Sequence, residues 1–328
     1  MSDVKVNSLR SWILAARPKT LTGAMIPVLL GGALAYRVGA FRQSDMLDGA
    51  PLFSTPAVYV VLWICCLLFA CMMQIAANFI NDLFDYQRGS DRADRLGPER
   101  ACAQGWITPR AMKVGIAVVI VLACFIGLIA VIISGKYVIY HGCEYIAIGL
   151  LCVLFAFLYT TRFSYLGWGD ALVLVFFGFV PVMGTYYMQT LTLTPLSLLV
   201  ALISGIAIDA LLVINNYRDR NEDRISGKKT VVVRLGEKYG LYLYLVIGIV
   251  VTLLTILLWV LLKTGVTARP HALCLFLVVG FVYPLRHYLT WCKMKRIREG
   301  RALNAILGET SINMFLMALL MSAVIMFD

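Results

Sequence analysis

Nine stretches almost free of charge, each close to the ~20 residues that cross a bilayer core of ~30 Å as a helix, divide this chain. They run over 21–41, 57–81, 112–134, 144–161, 168–188, 195–215, 240–263, 271–289 and 305–327. Backbone in hydrocarbon must satisfy its own hydrogen bonds, so segments of this kind leave little choice besides helices. Composition agrees: 61% of the 328 residues are hydrophobic, 14% are charged and mean hydropathy is +0.84, more apolar surface than a water-soluble core can hide. The expected fold is therefore all-α and integral to the membrane, nine transmembrane helices in one bundle, with 1–328 a single domain. Residues 1–20 read as an interfacial helix, because Trp12, Ile13 and Leu14 lie among Arg10, Arg17 and Lys19. The first span contains Pro27 in a Gly-rich stretch and ends in no small-residue cleavage site, so it is expected to remain in the mature protein.

Charge orients the bundle. With the amino terminus placed inside, 24 of the 29 Lys and Arg residues fall on the cytoplasmic side, and only Arg37, Arg42, Lys136, Lys263 and Arg269 fall outside. The positive-inside rule then puts the carboxyl terminus outside. The net charge of +11 reflects this bias and contact with anionic lipid, and no basic arm or module for nucleic acid is present. Nine cysteines form no CxxC pair and three histidines, His141, His271 and His287, are scattered, which removes zinc and haem sites of the usual spacing.

Two segments break the apolar pattern. The first, "NFINDLFDYQRGSDRAD" at 78–94, sets four aspartates in thirteen positions directly after the second span. On a continuous helix Asn78, Asp82 and Asp85 stand at i, i+4 and i+7, on one face, with Asn81 beside them. The second, "DALLVINNYRDRNEDRISGKKT" at 209–230, closes the sixth span, and there Asn216, Asp219 and Asp223 share a face at i, i+3 and i+7. A solvated helix end accounts for one or two acidic residues, but like charges one turn apart repel. Carboxylates kept together in this way point to a cation held between them. Donors that are all Asp and Asn oxygen suit Mg²⁺ or Ca²⁺, and Mg²⁺ is usually held by one or two carboxylates plus substrate phosphates. Arg88, Arg92 and Arg95 follow the first cluster, and Arg218, Arg220, Arg224, Lys228 and Lys229 lie in the second, so acid for metal and base for phosphate together indicate a diphosphate. Asp209, two turns deeper on the same face, lies inside a span where charge is costly and usually functional.

These motifs resemble the UbiA superfamily of intramembrane prenyltransferases, and within it the 1,4-dihydroxy-2-naphthoate polyprenyltransferases of menaquinone synthesis. The stretches that carry the resemblance are "ARPKTLTGAMIPVLLGGALA" at 16–35, "NFINDLFDYQRGSD" at 78–91, "LYTTRFSYLGWGD" at 158–170 and "NNYRDRNEDRISGKKTVVVRLG" at 215–236. The resemblance implies a UbiA-type fold of nine helices, with Asn78, Asp82, Asp85, Asn216, Asp219 and Asp223 holding Mg²⁺ against the diphosphate of a polyprenyl donor. It further implies phosphate contacts from Arg218 and Lys228, with Asn81, Arg88, Arg162 and Asn215 in the substrate site. Arg17, Lys19 and Thr20, which match the "RPKT" element, fall on the aromatic substrate's side or anchor the interface. Tyr159 would shield an allylic cation with its ring face or belong to the aromatic belt. The implied reaction transfers a polyprenyl chain to 1,4-dihydroxy-2-naphthoate with loss of carbon dioxide and diphosphate, in the inner (cytoplasmic) membrane.

Arg162 and Phe163 depart from relatives that carry Gly and Pro there, which puts the shape of that loop in question. Asp209 is outside the general motif and is left with two roles, a partner behind the metal site or a proton acceptor for a substrate hydroxyl. The 137 residues between Asp82 and Asp219 suggest two related four-helix halves plus a ninth helix. Two other activities compete: prenyl transfer to 4-hydroxybenzoate or homogentisate, and, from another class, cation-coupled secondary transport, whose acidic residues belong nearer the bilayer midplane.

Overall fold

The computed structural model describes residues 4–39, 56–89, 95–263 and 270–327. Asp91, Arg92 and Asp94 of the first acidic segment, with Arg42 and Arg269, lie outside the described residues. Every regular element is helical among the described residues. A short α1 (Leu9–Ala16) is capped by the Ser8 hydroxyl and ends at Arg17, whose left-handed backbone (φ 52°) turns the chain into α2 (Leu21–Arg37). The long α3 (Pro56–Gln87) and α4 (Pro109–Ser134) follow, the latter opened by a Thr108 cap and Pro109 at its first position. Next come α5 (Cys143–Leu158) and the single turn α6 (Ser164–Leu166), joined by a π-helical stretch over Tyr159–Phe163. A second such stretch, Val175–Phe179, joins α7 (Gly169–Leu174) to α8 (Val180–Thr190). Insertions of this kind in otherwise α-helical segments cluster at functional sites.

After a capping box at Thr194 and Ser197, α9 (Pro195–Arg218) runs through the middle of the bundle, against α2, α7, α8, α12 and α14. It stops at Asp219, and two short helices, α10 (Arg220–Ile225) and α11 (Val231–Leu235), lead to α12 (Glu237–Lys263), α13 (Pro270–Ile297) and α14 (Leu303–Phe327). Among the described residues eight helices are long and apolar enough to cross a membrane. The span expected at 271–289 corresponds to α13, which is long enough but carries Arg286 and a run of basic residues at its end, and is not one of the eight.

The outward faces are apolar. On α4 Val114, Val118, Val121, Phe125, Leu128 and Ile132 are exposed at helical spacing, as are Tyr242, Val246, Ile249, Leu253 and Val260 on α12. Such stripes suit lipid, in which packing and small residues hold helices together. Gly31 shows how close the helices come: a Cβ there would lie 2.5 Å from the Val182 carbonyl oxygen of α8.

A second, smaller core seals one end of the bundle. Ala15, Phe79, Ile80, Leu83, Ala101, Cys102, Ile107, Met112 and Ile116 pack there, with Trp12 against Phe79 at 5.3 Å between ring centroids. This cluster fastens α1 and the 95–107 loop over the ends of α3 and α4, which is the end where both acidic segments emerge.

Candidate active site

At that end α3 and α9 contribute to the mouth of one cavity of about 800 Å³. The face of α3 that lines it is Gln74, Asn78, Asn81 and Asp85, a row at helical spacing. From the opposite side come Asn215, Asn216, Arg218 and Asp219 of α9 and its cap, then Asp223 of α10 and Lys228. The elbow before α2 adds Arg17 and Thr20, and the 95–107 loop adds Arg95 and Arg100. Beyond this polar mouth the cavity continues as an apolar limb past Phe69, Gly127, Val131, Ile148 and Met188. Its walls include Leu128, Ile146 and Leu150, whose side chains are exposed on the lipid-facing surface.

The carboxylates at the mouth are matched with cations. Arg100 Nη2 donates to Asp85 at 2.7 Å, and Arg218 grips Asp219 at both oxygens, Nε to Oδ1 at 2.6 Å and Nη2 to Oδ2 at 2.7 Å. Lys228 Nζ stands 3.5 Å from Asp223. Arg218 also donates to Asn304 Oδ1 at 2.7 Å, and Asn304 in turn donates to the Leu96 carbonyl at 2.8 Å, tying α9, α14 and the loop together. Burial pushes the Asp223 carboxyl up to about 6, with Lys228 opposing the shift and Asp219 adding to it.

Two sequence expectations change here. Asp82 does not share the cavity face with Asn78 and Asp85. It is fully buried, and its two oxygens accept the backbone amides of Ala101 and Cys102, each at 2.8 Å. The helical wheel placed it beside Asp85, but the loop folded back over α3 and took the carboxylate as the cap of its own turn. The second acidic face is not one continuous helix either, because Asp219 ends α9 and Asp223 belongs to α10, linked by the amide of Asp223 donating to the Asp219 carbonyl at 2.8 Å.

Asn78 reaches the cavity wall but is engaged elsewhere. Its Nδ2 donates to the Ala16 carbonyl and to Thr20 Oγ1, both at 2.9 Å, and its Oδ1 accepts from Gln74 at 3.2 Å. It thus locks the Arg17 elbow to α3. Arg17 lines the cavity with a buried Nη2 that has no hydrogen-bond partner. Lys19 and Arg162 are exposed and outside the lining. Arg88 is also outside it, donating to the Thr160 and Thr161 carbonyls at 3.1 and 2.8 Å and covering the Tyr165 ring. Asn81 accepts a hydrogen bond from Thr160, and Tyr159 lines the cavity at the π-helical stretch. Arg100, Asn304 and Asp170 were not singled out from sequence, since no spacing rule says how a loop or a distant helix will close.

Among the described residues no group of three or more His, Cys, Asp or Glu side chains stands ready to hold a metal ion. The donors present are nevertheless all hard oxygens, set on two sides of one mouth together with cations suited to phosphate. That set fits Mg²⁺ bound jointly with a phosphorylated substrate and does not fit a closed protein cage.

A helical membrane bundle whose acidic and basic mouth opens into an apolar cavity defines an intramembrane transferase of prenyl chains: the chain belongs to the UbiA prenyltransferase family, whose model matches residues 24–300. It is 37% identical over 240 residues to a 1,4-dihydroxy-2-naphthoate octaprenyltransferase of Escherichia coli, covering 72% of each chain. It is 32% identical over 273 residues to the protein of that name from Mycobacterium tuberculosis, covering 81% of this chain and 85% of the relative. In fold it is similar to a UbiA homologue from Archaeoglobus fulgidus bound to GPP and Mg²⁺, with a TM-score of 0.59 at 14% identity over 96% of this chain and 99% of that one.

Proposed function

We propose that this protein transfers a polyprenyl chain from a polyprenyl diphosphate to 1,4-dihydroxy-2-naphthoate, releasing diphosphate and carbon dioxide and leaving a demethylmenaquinol. The observation that carries the transfer chemistry is the joining of a charged mouth to a long apolar limb in one cavity. The acceptor is supported by the names of the curated relatives, and those names favour naphthoate over 4-hydroxybenzoate or homogentisate. Membership of the family and acidic clusters at the helix ends set aside the transporter reading.

The donor's diphosphate lies among Asp85, Asp219 and Asp223, where Arg100, Arg218 and Lys228 turn from their carboxylates toward phosphate oxygens. Asp85, Asp219 and Asp223, with Asn81, Asn215 and Asn216 as further oxygen donors, would hold Mg²⁺ together with the diphosphate, and the ion when bound would stabilise the charge that grows on the leaving group. The cations contribute in the same sense. The tail follows the apolar limb toward lipid. Tyr159 faces the allylic carbon, where its ring stabilises positive charge and limits water. Arg17, with one nitrogen uncommitted, receives the naphthoate carboxylate, and Asn78 and Thr20 hold that elbow in place. Asp82 serves by fixing the loop that carries Arg100. The charged mouth faces the cytoplasm across the inner membrane, with the amino terminus inside and the carboxyl terminus outside.

The test is direct. Purified protein in detergent, given Mg²⁺, a polyprenyl diphosphate and each aromatic acid in turn, should convert 1,4-dihydroxy-2-naphthoate to a prenylated, decarboxylated product identified by mass. Reaction with 4-hydroxybenzoate alone would refute the acceptor.

A further inference from the structure

Asp170 and Asp209 form a second carboxylate pair, apart from the mouth. Asp170 opens α7 and lines the cavity. Asp209 lies two and a half turns below the end of α9, in the helical row of Leu212 and Asn216, which both line the cavity. It is only 9% exposed, and its Oδ1 is buried without a hydrogen-bond partner. The two carboxyls are within electrostatic reach of one another. Both are also within electrostatic reach of Tyr159, as are Asp223 and Asp85 of the mouth. Its hydroxyl comes within 4.0 Å of the position a side chain would occupy on Gly169, the neighbour of Asp170. A membrane protein keeps an unpartnered carboxyl at such depth at a cost, and usually for function.

We infer that Asp170, supported from behind by Asp209, accepts the proton of the ring hydroxyl next to the naphthoate carboxylate, an assignment that rests on the reaction proposed above. The chemistry needs such a group. As the ring carbon bearing the carboxylate bonds to the allylic carbon, the neighbouring hydroxyl becomes a carbonyl and its proton must leave. Asp170 takes it, and the ring is then a β-keto carboxylate. Loss of carbon dioxide returns the electron pair to the ring as an enolate, and the proton on Asp170 restores the hydroxyl. No proton is gained or lost overall, and no other reactant is required. Asp170, Tyr159 and the diphosphate carboxylates line one cavity, so a ring that lies against Tyr159 is within reach of both the leaving group and the proton acceptor. Asp170 is the catalytic residue, and Asp209 is a positioning residue that acts through it.

Asp170→Asn and Asp209→Asn in the full-length protein test this, with 1,4-dihydroxy-2-naphthoate and a ring-fluorinated analogue whose hydroxyls are more acidic. Positioned general bases contribute about 10²- to 10⁴-fold. Asp170→Asn should therefore lower kcat with the parent acceptor by at least about 100-fold, and Asp209→Asn by about tenfold. Both losses, each measured against wild type with the same acceptor, should shrink severalfold with the fluorinated acceptor, because a more acidic hydroxyl needs less help. The KM for the donor and slow Mg²⁺-dependent diphosphate release without acceptor should stay near wild type, which also reports that the variants fold. Equal losses with both acceptors, a donor KM that rises in step with the lost turnover, or undiminished activity would overturn the assignment. Wild-type protein inert toward naphthoate would remove the underlying reaction and the pair's role with it.

Discussion

Replacing Asp82 with Ala should damage the protein through its architecture. Its carboxylate is fully buried and receives the amides of Ala101 and Cys102 at 2.8 Å each. Hydrogen bonds to a charged acceptor contribute about 1.5–3 kcal/mol apiece, so the two together hold the loop by about 3–6 kcal/mol. Asparagine offers one acceptor oxygen and turns an NH₂ toward the other amide, so Asp82→Asn should behave nearly as badly. The same loop carries Arg100, which pairs with Asp85, and therefore donor binding should weaken as the loop loosens. Amide hydrogen exchange, followed by mass spectrometry in detergent, is the assay. Loss of about 3 kcal/mol of local stability corresponds to exchange at Ala101 and Cys102 faster by about two orders of magnitude. Asp219→Asn, which alters the mouth and leaves this turn intact, should abolish turnover with no such change in exchange. Wild-type protection at 101 and 102 in Asp82→Ala would refute the reasoning and return Asp82 to a direct role.

Three further outcomes follow from the geometry. Arg218→Lys loses the two-pronged grip on Asp219 and the bond to Asn304, so kcat/KM for the donor should fall by about 10- to 100-fold and the thermal midpoint should drop with it. Because the Asp223 carboxyl titrates near 6, protonation as pH falls from 7.5 to 5.5 should weaken apparent Mg²⁺ affinity severalfold, measured as the Mg²⁺ dependence of initial rate. The same upward shift makes this group favour the folded state at low pH and lose that contribution as pH rises through about 6. Gly31→Ala pushes a methyl into the Val182 carbonyl 2.5 Å away and should cost about 1–3 kcal/mol in thermal stability, whereas Gly308→Ala meets nothing within 4 Å and should be neutral.

The bundle was readable because hydrocarbon leaves the chain few options, and the length of each uncharged run states the helix directly. The two acidic segments were readable for the same reason, since charge at a span's end stands out against its surroundings. Periodicity put Asp85, Asp219 and Asp223 at one mouth, but it could not foresee that the 95–107 loop would fold over α3 and claim Asp82. That outcome depends on a tertiary contact fastened by Phe79, Ala101 and Met112, which no local pattern encodes. The partner of Asp85 was hidden likewise: Arg100 follows it by fifteen residues across a loop, where no spacing rule applies. Asn78 stands on the cavity wall as its position suggests, but no local pattern shows that its Nδ2 also bonds the Ala16 carbonyl and Thr20, more than fifty residues earlier. The helix expected at 271–289 is present as α13, which runs on from Arg286 into a basic end over Lys293, Lys295 and Arg296.

The central claim is transfer of a prenyl chain to the carboxyl-bearing carbon of the naphthoate, and carbon dioxide measures it most directly. With carboxyl-labelled 1,4-dihydroxy-2-naphthoate, each chain transferred by the wild-type protein should release one labelled carbon dioxide, and only when donor and Mg²⁺ are both present. Prenylated product that keeps the label, or label released without donor, would contradict the account.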